Sequence, residues 1–145
     1  MKIRFLIEVR IERECEECVG TEKRHTINSS AWTLPDGTPA GDSQVGDVYF
    51  TPCSGHCSWD NCDGQHLICL CPGTKDWPHP WQIDGRASNC MMPDERTHRC
   101  WVRHGDPRVP GELHVDKAGH TCAAGAGSIQ IPGGWHGHLH HGELV

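Results

Sequence analysis

Aliphatic residues are scarce in this chain. Leu, Ile, Val and Phe supply only 25 of 145 residues, and there is one Tyr, a supply near the level at which a chain fails to bury enough apolar surface to fold unaided. Disorder would explain such a shortage, but the net charge is only −6 and six Trp are present. An ordered chain with so thin a core needs a further source of stability, which in small proteins is disulfide or metal. Long apolar runs are missing too, and none approaches the ~20 residues of a membrane span. The opening stretch, residues 1–11, spaces Lys2, Arg4, Glu8 and Arg10 among its apolar residues, where a secretory signal keeps an unbroken apolar block. The expectation is an intracellular chain, not exported by a signal peptide and not membrane-bound. Lys and Arg are in deficit against Asp and Glu, 13 to 19. That argues against a nucleic-acid groove, which needs clustered positive charge, and so against a zinc finger that reads DNA. Also missing are a His-Glu-x-x-His segment, a glycine-rich phosphate loop after a strand, and any ten-residue window of helical periodicity.

What the chain does have is ten Cys and twelve His. In a reducing compartment thiols at this density favour thiolate–zinc ligation over bridges, with inert buried thiols or late-formed disulfides as the alternatives. Ile3, Phe5, Ile7, Val9 and Ile11 alternate with Arg4, Leu6, Glu8, Arg10 and Glu12, the period of a half-buried strand. Pro35-Asp36-Gly37 is a turn signal. Residues 47–51, 66–71, 100–103, 112–115, 128–131 and the tail 136–145 read as short strands separated by Gly and Pro. The fold class expected is therefore mainly β: a small zinc-stabilised single domain, 1–145, with short strands and long irregular loops. Residues 1–45 form a possible N-terminal hairpin addition to a 46–145 core.

Three groups of candidate ligands follow from spacing. Cys15-x-x-Cys18, with His25 after it, allows two sulfurs to reach one tetrahedral ion, but it is half a site; two plain thiols remain the alternative. Cys53, His56, Cys57 and Cys62 lie within ten residues and can make a complete Cys3His site, or His56 faces solvent and Cys90 or Cys100 is the fourth ligand. Cys69 and Cys71 sit two apart on an expected strand and share a face, with His66 on the other. Their remaining ligands would come from Cys122 with His136 or His138. His141-Gly142-Glu143 and Pro52-Cys53 match fragments of the zinc deaminase signature in the wrong order and spacing, a chance likeness.

Gly46-Asp47-Val48-Tyr49-Phe50, His66-Leu67-Ile68-Cys69-Leu70-Cys71, Trp81, Ser128-Ile129 and His136 to Gly142 together resemble an uncharacterised domain family found in phages and beside bacterial ubiquitin-like conjugation genes. The resemblance covers the C-terminal two thirds of the chain. It implies a compact β-rich zinc domain, in the host cytoplasm or on a virion, with a peptidase role proposed in the ubiquitin-like operons. The family's cysteine pair falls on Cys69 and Cys71 and its terminal histidine on His136. Its remaining cysteine, three residues before that histidine, is Gly133 here, so either Cys122 replaces it or one metal position stays open.

Two functions are weighed on these grounds. A hydrolase of peptide or isopeptide bonds would use zinc on Cys69, Cys71 and His136 to activate water, with His138, His120, Asp116 or Glu143 as general base; a variant uses Ser128 or Cys122 as nucleophile. The alternative is a non-enzymatic zinc-stapled module that binds a protein or peptide partner, all of its metal being structural.

Overall fold

The computed structural model describes residues 1–55, 57–74, 77–94, 96–117, 122 and 127–145. Among these the chain is mainly β, and the 3-10 turn Glu16–Cys18 is the only helical element described. Contacts divide it into two units, Leu6–Asp42 and a larger one made of Met1–Phe5 with Ser43–Val145. The expected N-terminal strand is thus two strands, β1 (Arg4–Phe5) in the larger unit and β2 (Ile7–Glu14) in the smaller.

In the smaller unit β2 pairs antiparallel with β3 (Thr26–Thr33) in unbroken register from Ile7↔Thr33 to Glu14↔Thr26. The alternation that marks β2 was expected to bury one face. Instead all eight of its residues are exposed, with Ile7, Val9 and Ile11 at 37%, 42% and 45%. A two-stranded ribbon has no second layer of its own to cover that face. The turn at 34–38 closes through Leu34 N–H to Thr38 O at 2.8 Å, Gly37 N–H to Leu34 O at 2.9 Å and the Asp36 carboxylate on Thr38 N–H.

The larger unit is built on a four-stranded sheet. β4 (Asp47–Pro52) lies between β1, to which it is parallel, and β5 (Gln65–Cys71), to which it is antiparallel; β6 (His79–Gln82) completes the order β1-β4-β5-β6. The register sets Val48 opposite Cys69 and Phe50 opposite Leu67, and Cys69 in turn opposite Trp81, so one face of the sheet is apolar. Two-stranded pairs supply the other side of the core: β7 (Val102–His104) with β8 (His114–Asp116), β9 (Ile129–Gln130) with β10 (His136–Gly137), and β11 (Leu139–His140) with β12 (Glu143–Leu144). Val48, Leu67, Ile83, Leu113, Val115, Ile129 and Leu139 reach zero exposure. Trp81 and Trp101 meet edge to face at 5.2 Å against this cluster, and Trp101 donates its indole N–H to Ser128 O at 2.7 Å.

One buried charge pair fixes the N-terminal edge. Asp47 is fully buried and receives both prongs of Arg4, at 2.7 and 2.9 Å, plus Gln44 N–H at 3.0 Å. Satisfied on both oxygens, it ties β1 to β4 with hydrogen bonds that offset its desolvation. Gly46 is required beside it: φ is +96°, and a Cβ there would lie 2.9 Å from Lys2 O.

Candidate metal centres

The hairpin from β4 to β5 carries the first group. After Pro52 the chain curls back, closed by Cys53 N–H to Gly64 O at 2.8 Å and Cys62 N–H to Trp59 O at 3.2 Å. The loop thereby returns to His66, the second residue of β5. Cys53, Cys57, Cys62 and His66 each offer a ligand atom, and these atoms all lie within 4.8 Å of one another. That is a complete Cys3His set for a tetrahedral ion. The fourth member of the group is His66, while His56 lies outside the described residues and Cys90 and Cys100 fall in the second group.

The surroundings of His66 are those of a ligand. Its Nδ1 is buried without a hydrogen bond among the described residues and faces Asp84 Oδ1 at 3.6 Å; with a carboxylate on that side, Nε2 would be the atom offered to an ion. Asp84 follows β6, is 1% exposed and is held by Arg103 Nε at 3.1 Å. Burial pushes the Asp84 carboxyl up, opposed by Arg103 and then His66. A carboxylate behind the second nitrogen of a histidine is the arrangement that orients metal-bound imidazoles. Cys57 is prepared for the thiolate form as well. The Trp59 N–H and, less strongly, the Arg99 guanidinium at 3.7 Å hold its thiol below the ordinary value.

The second group is Cys90, His98, Cys100 and Cys122, again with all ligand atoms within 4.8 Å. A turn places Cys90 through its N–H on Ala87 O at 3.1 Å; Cys100 N–H bonds Gly85 O at 2.9 Å, and Cys100 Sγ lies 3.6 Å from His98 Nε2. His98 and Cys100 are buried, Cys90 and Cys122 half-buried. Burial raises the Cys100 thiol to about 11, whereas the Met92 N–H first, and Arg86 at 3.4 Å after it, lower that of Cys90. Arg99, between the two buried ligands in sequence, stacks on Trp59 at 5.0 Å and donates to both His98 O and Cys57 Sγ. One side chain therefore touches both groups.

The third group, Cys15, Cys18 and His25, lies where the loop joining β2 and β3 begins and ends. Cys15 N–H bonds His25 O at 3.1 Å, extending the ladder by one rung, and the 3-10 turn brings Cys18 Sγ to 3.0 Å from His25 Nδ1. Cys15 is buried, Cys18 half-buried and His25 exposed.

The remaining candidates are placed as follows. Cys69 and Cys71 do share a face, but it is the inner one. Both have zero exposure and pack with Val48, Leu67 and Ile83, and the hydrogen bond with Cys71, then burial, push the Cys69 thiol well above its usual range. Among the described residues they form no ligand group with His136, which is exposed on β10 opposite Gln130. Cys122 joins Cys90, His98 and Cys100 instead. Ser128 contributes its carbonyl to Trp101, and His120 is outside the described residues. His138 lies 4.8 Å, ring to ring, from His140, which pairs in register with Glu143. His140 also stacks on His114 at 4.5 Å; His141 is 4.6 Å from His114, and His104 and His114 flank Asp116 at 2.8 and 3.7 Å. Burial first, then neighbouring histidines, lower His114 and His140 below the usual imidazole value.

His66 and His98 are the group members that spacing did not single out. Cys53-x3-Cys57-x4-Cys62-x3-His66 and His98-x-Cys100 were the available signals. Comparison of the chain with family models, with curated proteins and with solved structures finds no match in any of the three. Among the described residues, three Cys/His groups could hold a metal ion. No helix among the described residues is long and apolar enough to cross a membrane.

Proposed function

We propose that this protein is a zinc-stapled binding module in which the two four-ligand groups of the larger unit hold structural zinc. The observation that carries the reading is the buried Asp84 behind His66, whose cost of burial makes sense where the imidazole must be oriented toward a cation. Soft thiolates with one imidazole in a four-fold set suit zinc over the harder divalent ions. Both groups supply four protein ligands, which leaves no position for the water that hydrolysis needs. At Cys69 and Cys71 both thiols are interior, and that of Cys69 is pushed well above its usual range, so a peptidase site there has no support. The partner of such a module is a protein or peptide, since a net charge of −6 opposes a polyanion.

Structural zinc contributes about 10–16 kcal/mol in finger peptides, comparable with the whole stability of a domain, about 5–15 kcal/mol. Removing it should therefore unfold the larger unit. Purified protein should contain at least two zinc ions per chain, and a strong chelator should abolish its near-ultraviolet circular dichroism. A metal-free protein with an unchanged spectrum and melting curve would refute the proposal.

A further inference from the structure

We propose that the Cys15–Cys18–His25 group holds a zinc ion with one coordination position open, and that this position takes an external thiolate. The inference rests on the zinc reading above and extends it to a group of different character. Every residue of the unit Leu6–Asp42 is described, and Cys15, Cys18 and His25 are its only Cys and His. Their three ligand atoms converge within 4.8 Å, so the unit presents a formed but incomplete tetrahedron. A cavity of about 140 Å³ opens on these three side chains, with Glu14, Thr21 and Arg24 also lining it. Thr21 is occupied in bracing the turn, its hydroxyl donating to Cys18 O at 2.8 Å. Glu14 is the one carboxylate on the wall, and its oxygens are not part of the converging group.

The chemistry of the donors selects the guest. Zinc with two thiolates and a neutral imidazole is a neutral centre, so an anionic donor can join it without accumulating more than one negative charge, and Arg24 on the cavity wall favours that charge. The two thiolates already donate to the ion and weaken it as a Lewis acid, which disfavours water activation and leaves a soft ligand as the better fourth partner. Binding is then coordination alone: a thiol loses its proton to solvent, displaces water, and forms a zinc–sulfur bond of about 2.3 Å. The sulfur could belong to a small free thiol or to a cysteine of a partner peptide.

The test uses the full chain loaded with cobalt(II) in place of zinc, because cobalt reports its ligands in the visible spectrum. 2-Mercaptoethanol and a short cysteine-containing peptide are titrated into wild type, Glu14→Gln and the double variant Cys15→Ala/Cys18→Ala. The expected result is three metal ions per chain and a rise in sulfur-to-cobalt charge-transfer intensity. That rise saturates at one thiol per chain in wild type and Glu14→Gln and is lost in the double variant, which keeps two ions. Half-saturation at lower peptide than mercaptoethanol concentration assigns the sulfur to a protein cysteine; equal values assign it to a free thiol. Three ions with no response to thiol overturn the inference by showing a filled position, and two ions in wild type overturn it by showing no metal at the group. In both cases the zinc reading of the other groups stands, whereas a chain that binds no metal removes both.

Discussion

In the hairpin unit Ile7, Val9 and Ile11 stay between 37% and 45% exposed on a two-stranded ribbon, while in the larger unit Val48, Leu67, Ile83 and Leu139 lie at zero exposure behind four strands. The ligand groups divide the same way: three donors with an exposed histidine in the hairpin unit, four donors with buried or half-buried side chains in the larger one. In both units a group gathers a connection between paired strands. The loop 53–64 closes onto His66 at the base of β5, and the loop 16–25 closes onto Cys15 at the end of β2. The difference lies in what surrounds the closure. Arg99, Arg103 and Asp84 buttress the larger unit's ligands, whereas the third group has backbone hydrogen bonds and Thr21. The number and burial of the donors thus follow the depth of the core each group is attached to; under the proposed zinc reading, ions in the larger unit would be structural and an ion in the hairpin unit accessible.

The strongest way to break this contrast is to remove one sulfur from each kind of group. Cys100→Ser takes away a fully buried ligand and should lower the zinc content by one and destabilise the larger unit by about 3–5 kcal/mol or more, enough to lose soluble protein, because a broken site leaves its other donors buried and unpaired. Cys18→Ser should also cost one ion yet leave the larger unit's melting transition in place. Equal loss of folding in the two variants, followed by the five tryptophans that lie outside the hairpin unit, would erase the distinction.

Asp84→Asn asks whether the buttress matters apart from the ligands. The amide keeps the shape but cannot accept a proton-rich imidazole edge with a full negative charge, and loss of such partners typically weakens metal binding by about 10–100-fold. The chain should still fold with zinc in excess and release one ion earlier in a competition with a chelating dye. Unchanged release would leave Asp84 as a partner of Arg103 alone.

Much of the architecture could be read from residue order, and the reasons for the remainder are specific. Short apolar runs bounded by Gly and Pro marked 47–51 and 66–71, and the structure has β4 and β5 there. β3 was hidden because Thr26–Thr33 mixes polar and apolar residues on both faces, and β6 because Pro80 interrupts it. The crowding of Cys53, Cys57 and Cys62 was visible, but their histidine came from the following strand. Alternation correctly set His66 on the face opposite Cys69 and Cys71; it could not say which face met metal and which met the core. Two thiols at i and i+2 look the same whether they ligate an ion or fill an apolar layer. Cys90, His98, Cys100 and Cys122 span more than thirty residues, and nothing local announces a closure of that length.

That ambiguity at Cys69 is open to a smaller experiment. Cys69→Ala removes a buried sulfur with zero exposure among Val48, Leu67 and Ile83. The expected loss is about 1–2 kcal/mol of stability from lost contact and a small cavity, with zinc content unchanged. A variant that is one zinc ion short would show that Cys69, Cys71 and His136 hold metal after all.

The smallest effect expected is on the histidine cluster, where pH and not metal is the lever. His114 and His140 are held below the usual imidazole value of 6.5, by burial first and then by His141 for the former and His114 and His138 for the latter. The groups facing them are His104, His138, His141, Asp116 and Glu143, and only the two carboxylates favour a charged ring. Because the folded values are depressed, the unfolded chain binds more protons between the folded value and 6.5, and stability rises with pH across that window. The contribution is fully present above 6.5 and is lost as pH falls through the folded values of the two rings. Zinc–thiolate sites also weaken in acid, so the measurement is a difference: urea midpoints of wild type and His114→Asn, both zinc-loaded, between pH 7.5 and 5.5. The wild-type midpoint should fall more steeply than that of the variant. Parallel slopes would mean that the stacked rings accept protons in the folded state as readily as in the unfolded one.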